Sequence, residues 1–191
     1  MADFERPGGA GDDGVDVGGV GEEAALGQLT ALKAQGNAHY TAREFEPAIA
    51  VYTRAAKFIP LFDEDEPPPA VISVTLLSLR QQGAIVYANR AAAYMGLNKA
   101  VAALADAQRA MDLDGSYWKA HWRCGLALMM MGVRLERSEQ AVAAFKRSLE
   151  CEGLPPGERP NVQKALVAAE YRLREGRDAL DMPDMAHCVV S

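Results

Sequence analysis

Equivalent positions in two stretches of the chain, Tyr87 to Gly115 and Trp118 to Gly132, lie 34 residues apart, and each stretch opens on an aromatic residue and carries a small one at a matching position, Ala91 and Gly125. A period of that length is the mark of a helix-turn-helix unit that cannot bury its apolar face alone and must stack on its neighbours as a solenoid. From Leu29 onward the sequence is Ala-rich and helix-periodic, with few of the alternating runs that strands require. An all-α array is the expectation.

Aligning small and aromatic positions gives three units. The first spans residues 29–60, with Leu32, Gly36, Ala48, Tyr52, Ala55 and Pro60. The second spans 84–115, with Tyr87, Ala91, Tyr94, Ala103, Ala110 and Gly115. The third spans 118–153, with Gly125, Leu128, Ala141, Phe145 and Ser148. Small residues at Gly36, Ala91 and Gly125 let the two helices of a unit approach closely, and Tyr52 and Phe145 fill the space between them. This pattern resembles the tetratricopeptide repeat (TPR). The resemblance covers most of residues 29–153 and implies a TPR solenoid of three helix-turn-helix repeats.

Residues outside the pattern divide into flanks and insertions. Residues 1–28 hold eight glycines and seven acids with almost nothing large and apolar, and read as a disordered acidic tail. Within it Gly9-Ala-Gly-Asp-Asp-Gly14 satisfies a GxGxxG pattern, but no strand precedes it and nearby aspartates would repel a pyrophosphate. An insertion at 61–83 carries the acidic run Asp63–Glu66 and three prolines, expected as a loop. Its apolar end, Val71 to Leu79, should extend the first helix of unit two, with a short strand as the alternative. The third unit holds about four extra residues in its turn. Residues 159–175 give an amphipathic helix with Val162, Leu166, Ala169 and Leu173 on one face. Such a helix would cap the array and complete a TPR domain over 29–178, leaving 179–191 as a loose tail.

The first helix of each unit lines the concave surface in TPR arrays, and three strings there carry polar groups: Leu32-Lys-Ala-Gln-Gly-Asn37, Tyr87-Ala-Asn-Arg-Ala-Ala92 and Lys119-Ala-His-Trp-Arg123. Lys33 and Asn37 are spaced i,i+4, as are Lys119 and Arg123, so each pair shares a helix face. Two ammonium groups, one guanidinium and two carboxamides in one groove would make a receptor for carboxylates. These residues resemble the two-carboxylate clamp of TPR co-chaperones, which bind the C-terminal Glu-Glu-Val-Asp peptide of heat-shock protein 70 and heat-shock protein 90. The resemblance implies that Lys33, Asn37, Asn89 and Lys119 hold the terminal and Asp side-chain carboxylates, and that Arg123 acts deeper along the peptide. It also gives Tyr40 and Met130 positions that contact the peptide's apolar side chains, although either would serve equally as repeat core. The other function compatible with the array is an assembly scaffold that takes different peptides without recruiting a chaperone.

Other classes find less support. A net charge of −6 and an isoelectric point near 5.1 argue against nucleic-acid binding by bulk charge. The chain lacks a nucleophile elbow, a phosphate loop and a defined carboxylate pair, so no enzyme activity, catalytic residue or cofactor is expected. His121 and Cys124, with Cys151, could in principle hold a metal; without a CxxC or HExxH string, a packed histidine and buried thiols are the better reading, and no metal is expected. An odd number of cysteines and the lack of a long apolar run point to a cytoplasmic protein. Cys188-Val-Val-Ser191 matches a prenylation box, here with no upstream basic cluster, so membrane association would follow only from lipidation of Cys188. Residues 1–28 carry −6 and Asp63–Glu66 carry −4, so the remaining chain is net +4. The array itself is mildly basic.

Overall fold

A computed structural model describes residues 21–60, 73–132 and 134–181, which form seven α-helices and no strand among the described residues. The helices are α1 (Glu22–Thr41), α2 (Phe45–Ala56), α3 (Val74–Gly96), α4 (Ala100–Leu113), α5 (Trp118–Met130), α6 (Leu135–Glu150) and α7 (Arg159–Asp181). Each packs on the next, and α1 also packs on α3, α3 on α5 and, lightly, α5 on α7. The odd-numbered helices therefore form one continuous layer, with α2, α4 and α6 behind it. This is the expected solenoid, and it places the first helix of every unit on a shared surface.

The close approach within units rests on glycine. A Cβ added to Gly36 would lie 2.4 Å from Cε1 of Tyr52, and one on Gly125 would lie 2.5 Å from Cε1 of Phe145. Both distances are below any tolerable contact, so the two rings occupy the space that a side chain on α1 or α5 would need. Unit two solves the problem differently: Ala91 packs with Ala103 and Ala127 in a cluster of small side chains.

Larger cores lie on either side. One gathers Leu29, Tyr52, Ile59, Leu79 and Tyr87; the other gathers Trp118, Leu128, Phe145, Val162 and Ala169. Val162 and Ala169 of α7 are fully buried, and Leu166 and Leu173 pack partly buried beside them, so α7 covers the apolar side of unit three as a terminal solenoid unit requires. Arg172 adds a hydrogen bond from Nη1 to the Met129 carbonyl at 2.8 Å.

Three boundaries differ from the sequence expectation, and at a fourth place the structure decides between two alternatives. The helical array begins at Glu22, inside the segment read as tail over 1–28. Ala25 and Leu29 are fully buried, and the Ser73 hydroxyl donates to the Glu22 carboxylate, which ties the start of α1 to the start of α3. The capping helix runs to Asp181, beyond the expected end at residue 175. Residues 74–83 of the insertion are helical, which overturns the strand alternative: Ser73 caps α3 by accepting from the Leu76 N–H at 2.9 Å, and Leu79 is buried in the first core. The acidic run Asp63–Glu66 lies outside the described residues. Finally, the extra residues of unit three do not all enlarge its turn. Ala141 is six residues into α6, whereas Ala103 is three into α4, so three of the four lengthen α6 at its N-terminus.

Candidate functional site

The polar residues singled out in the sequence stand on α1, α3 and α5 of the shared layer. On α1, the side chains of Lys33 and Asn37 follow one another by a helical turn, beside the buried stripe of Leu29, Leu32 and Gly36. Asn89 on α3 donates from Nδ2 to Oδ1 of Asn37 at 2.9 Å, which joins units one and two directly. Tyr52, reaching forward from α2, donates its hydroxyl to the same Oδ1 at 2.7 Å. With two donors on its oxygen, Asn37 is left with its NH2 as the group to offer a ligand. Burial pushes the Tyr52 phenol up to about 12, helped by Tyr40 and opposed by the Asn89 amide, so it stays a donor throughout the physiological range.

Lys33 donates from Nζ to Oε1 of Gln82, two turns before Asn89 on α3. On α5, the exposed Lys119 holds its ammonium 5.5 Å from the Trp118 ring centroid. Trp118 in turn meets Trp122 edge-on, with centroids 5.7 Å apart. Arg123 lies near enough to Tyr117 for its charge to oppose the effect of burial, which still leaves that phenol at about 12. Direct hydrogen bonds thus join Asn37 to Asn89 and Lys33 to Gln82 across α1 and α3, while Lys119 and Arg123 stand on the next helix of the layer. Three cations and two carboxamides on one surface can bind a ligand with more than one carboxylate.

Tyr40 packs its ring 5.7 Å from that of Phe45 and against the unit-one core, whereas Met130 is exposed at the end of α5. Cys188 lies outside the described residues. His121 is engaged through Nε2 with the Gly115 carbonyl at 2.8 Å, and the Cys151 thiol with the Arg147 carbonyl at 3.3 Å. Burial raises the Cys124 thiol to about 11. Among the described residues no group of three or more His, Cys, Asp or Glu side chains is arranged to hold a metal ion, and no helix is long and apolar enough to cross a membrane.

Two participants escaped the sequence reading. Gln82 precedes the first aligned position of unit two, although its seven-residue spacing from Asn89 puts both on one face of α3. Tyr52 was legible only as a spacer between helices. Beside the site, Arg90 and Asp106 form a buried two-pronged ion pair at 2.7 and 2.8 Å, and Arg90 also donates to the Thr53 hydroxyl at 2.9 Å.

No protein-family model matches the chain. The small glutamine-rich tetratricopeptide repeat-containing protein 2 of Saccharomyces cerevisiae is 34% identical over 122 residues, which are 64% of this chain and 28% of that protein. The crystal structure of the Sgt2 TPR domain from Aspergillus fumigatus superposes with a TM-score of 0.60 at 26% identity, covering 81% of this chain and 85% of that one. The second TPR domain of human RPAP3, in complex with the HSP70 peptide SGPTIEEVD, superposes with a TM-score of 0.55 at 25% identity, covering 76% and 98%. The chain has the fold of a tetratricopeptide-repeat domain. It spans little more than a quarter of the length of the yeast relative, so the likeness is between TPR domains. Within this TPR domain, α1–α2, α3–α4 and α5–α6 are the three repeats, and α7 is the cap.

Proposed function

We propose that the chain is a binding module for the acidic C-terminal peptides of heat-shock chaperones, the Glu-Glu-Val-Asp ends of heat-shock protein 70 and heat-shock protein 90, and serves as a co-chaperone or adaptor without catalytic activity of its own. The observation that carries this reading is the Asn37–Asn89 pair joined across α1 and α3, with Lys33 one turn from Asn37 and Lys119 and Arg123 on α5 of the same layer. Lys33, Asn37, Asn89 and Lys119 would hold the two carboxylates of the terminal Asp, and Arg123 would act farther along the peptide. The RPAP3 domain, with its HSP70 peptide ending in EEVD, supports the choice of ligand. The cytosol is where such a module would meet those chaperones.

Charge-assisted hydrogen bonds contribute about 1.5–3 kcal/mol each, and after ordering costs a free peptide should bind with an affinity on the order of micromolar. Titration of a labelled Glu-Glu-Val-Asp peptide, followed by fluorescence anisotropy, tests the assignment. Lys119→Glu or Asn37→Ala should abolish binding, and added salt should weaken it. Equal affinity for a C-terminally amidated peptide would overturn the reading, because that peptide lacks the main-chain carboxylate.

A further inference from the structure

We propose that Gln82 is a positioning residue of this receptor, fixing the Lys33 ammonium where the terminal carboxylate of the ligand arrives; the proposal rests on the peptide-binding function given above. Lysine is a poor receptor by itself, because its four-carbon stem loses much rotamer freedom when the ammonium is held in one place. The Gln82 carbonyl removes part of that loss in advance by accepting one of the three N–H donors of Lys33. Two donors remain for a carboxylate. A neutral acceptor is well suited here, since it orients the ammonium while leaving its charge uncompensated, whereas a carboxylate in its place would neutralise Lys33 and repel the ligand.

The geometry of the two helices supports this division of labour. Asn37 meets Asn89 directly. One turn toward the N-terminus of α1 stands Lys33, and two turns toward the N-terminus of α3 stands Gln82, so the longer side chain of lysine spans the remaining offset. Gln82 has this place only because α3 begins at Val74, well before the first aligned position of unit two. Capping by Ser73 and burial of Leu79 thus form the helical segment that puts the amide beside Lys33.

The test is a double-mutant cycle on the full chain, read by titration of the Glu-Glu-Val-Asp peptide, with NMR used for the weakest variants. Gln82 is partly exposed, so Gln82→Leu should leave the fold intact. In the wild-type background Gln82→Leu should weaken binding about fivefold, and Lys33→Met about thirtyfold. In the Lys33→Met background Gln82→Leu should have no further effect, because its influence passes through the ammonium. Gln82→Glu, nearly identical in shape, should weaken binding more than tenfold by pairing with Lys33. The proposal is overturned if Gln82→Leu and Gln82→Glu both bind as wild type, or if the loss from Gln82→Leu persists in the Lys33→Met background. Wild-type affinity in Lys33→Met itself would instead remove the carboxylate-receptor reading on which the proposal stands.

Discussion

Tyr52 has two roles that its position in the repeat reveals only in part. Its ring fills the notch above Gly36, which follows from a small residue and an aromatic one at matching repeat positions. Its hydroxyl orients Asn37, which does not follow, because an aromatic at a spacer position is read for volume and not for its polar end. Tyr52→Phe separates the roles. The ring stays, so stability should fall by no more than about 1 kcal/mol, while peptide affinity drops roughly three- to tenfold through the loss of a donor that holds the Asn37 carboxamide. Alkaline unfolding gives a second readout. The folded-state value of about 12 exceeds the ordinary 10, so the unfolded chain ionises first. The stabilisation is therefore complete below about pH 10 and is lost as pH rises toward 12, with a limiting slope of about 1.4 kcal/mol per pH unit. Chemical denaturation between pH 9 and 12 should show a shallower decline for Tyr52→Phe than for wild type. The polar residues of the candidate site were legible because Lys33, Asn37, Asn89, Lys119 and Arg123 all stand on the first helices of their units. Arg90 and Asp106 were not, because a charge on a helix reads as solvated and nothing local marks this pair as buried.

The turns inside the three units share one backbone device. Seven residues after Gly36, Ala91 and Gly125 come Arg43, Asn98 and Gly132, with φ values of 63°, 58° and 88°. In the first two units the turn closes with matching hydrogen bonds, Glu44 N–H to the His39 carbonyl and Lys99 N–H to the Tyr94 carbonyl, both 2.9 Å. Glycine and asparagine enter this left-handed region readily; arginine does so at a cost of about 1–2 kcal/mol. Arg43→Gly should therefore raise stability by roughly 0.5–1 kcal/mol after allowing for the more flexible unfolded chain, with peptide affinity unchanged. Thermal unfolding beside a peptide titration checks both. Local signals misjudged the beginning of α1 and left an alternative open at the beginning of α3. The residue before α1 is Gly21, which provides no side-chain cap, and the glycine-rich sequence ahead of it hides the buried Ala25. At the start of α3, the run Val71-Ile-Ser-Val-Thr75 favours extended backbone taken alone, and the Ser73 cap and the long-range burial of Leu79 decide for helix.

The two larger cores sit at opposite ends of the solenoid, with the small-residue cluster of Ala91, Ala103 and Ala127 between them. Small side chains bury little apolar area, so the junction at this cluster draws on another source of cohesion. The Arg90–Asp106 pair supplies one, and its bond to Thr53 extends it from α3 and α4 into unit one. Burial works against the charge on Arg90, but the hydrogen bonds and charge of Asp106 outweigh it, and the guanidinium is held even more firmly protonated than usual. Asp106→Ala would leave that charge buried without its carboxylate, a loss of about 3–5 kcal/mol against a typical domain stability of 5–15 kcal/mol. In a stack held together by neighbour contacts, weakening the middle should uncouple the ends. Calorimetry of Asp106→Ala should then show two transitions, one for the unit-one core and one for unit three with α7, where the wild type shows one. Arg90→Met combined with Asp106→Leu should recover a single transition, since it removes both charges together. Saturating peptide should draw the two transitions of Asp106→Ala back together, because a ligand held by α1, α3 and α5 spans the weakened junction. At one hundred times its dissociation constant it adds about 2.7 kcal/mol to the state that binds it. A single transition in Asp106→Ala without ligand would show that cohesion across unit two comes from the close packing of its alanines and not from the buried pair.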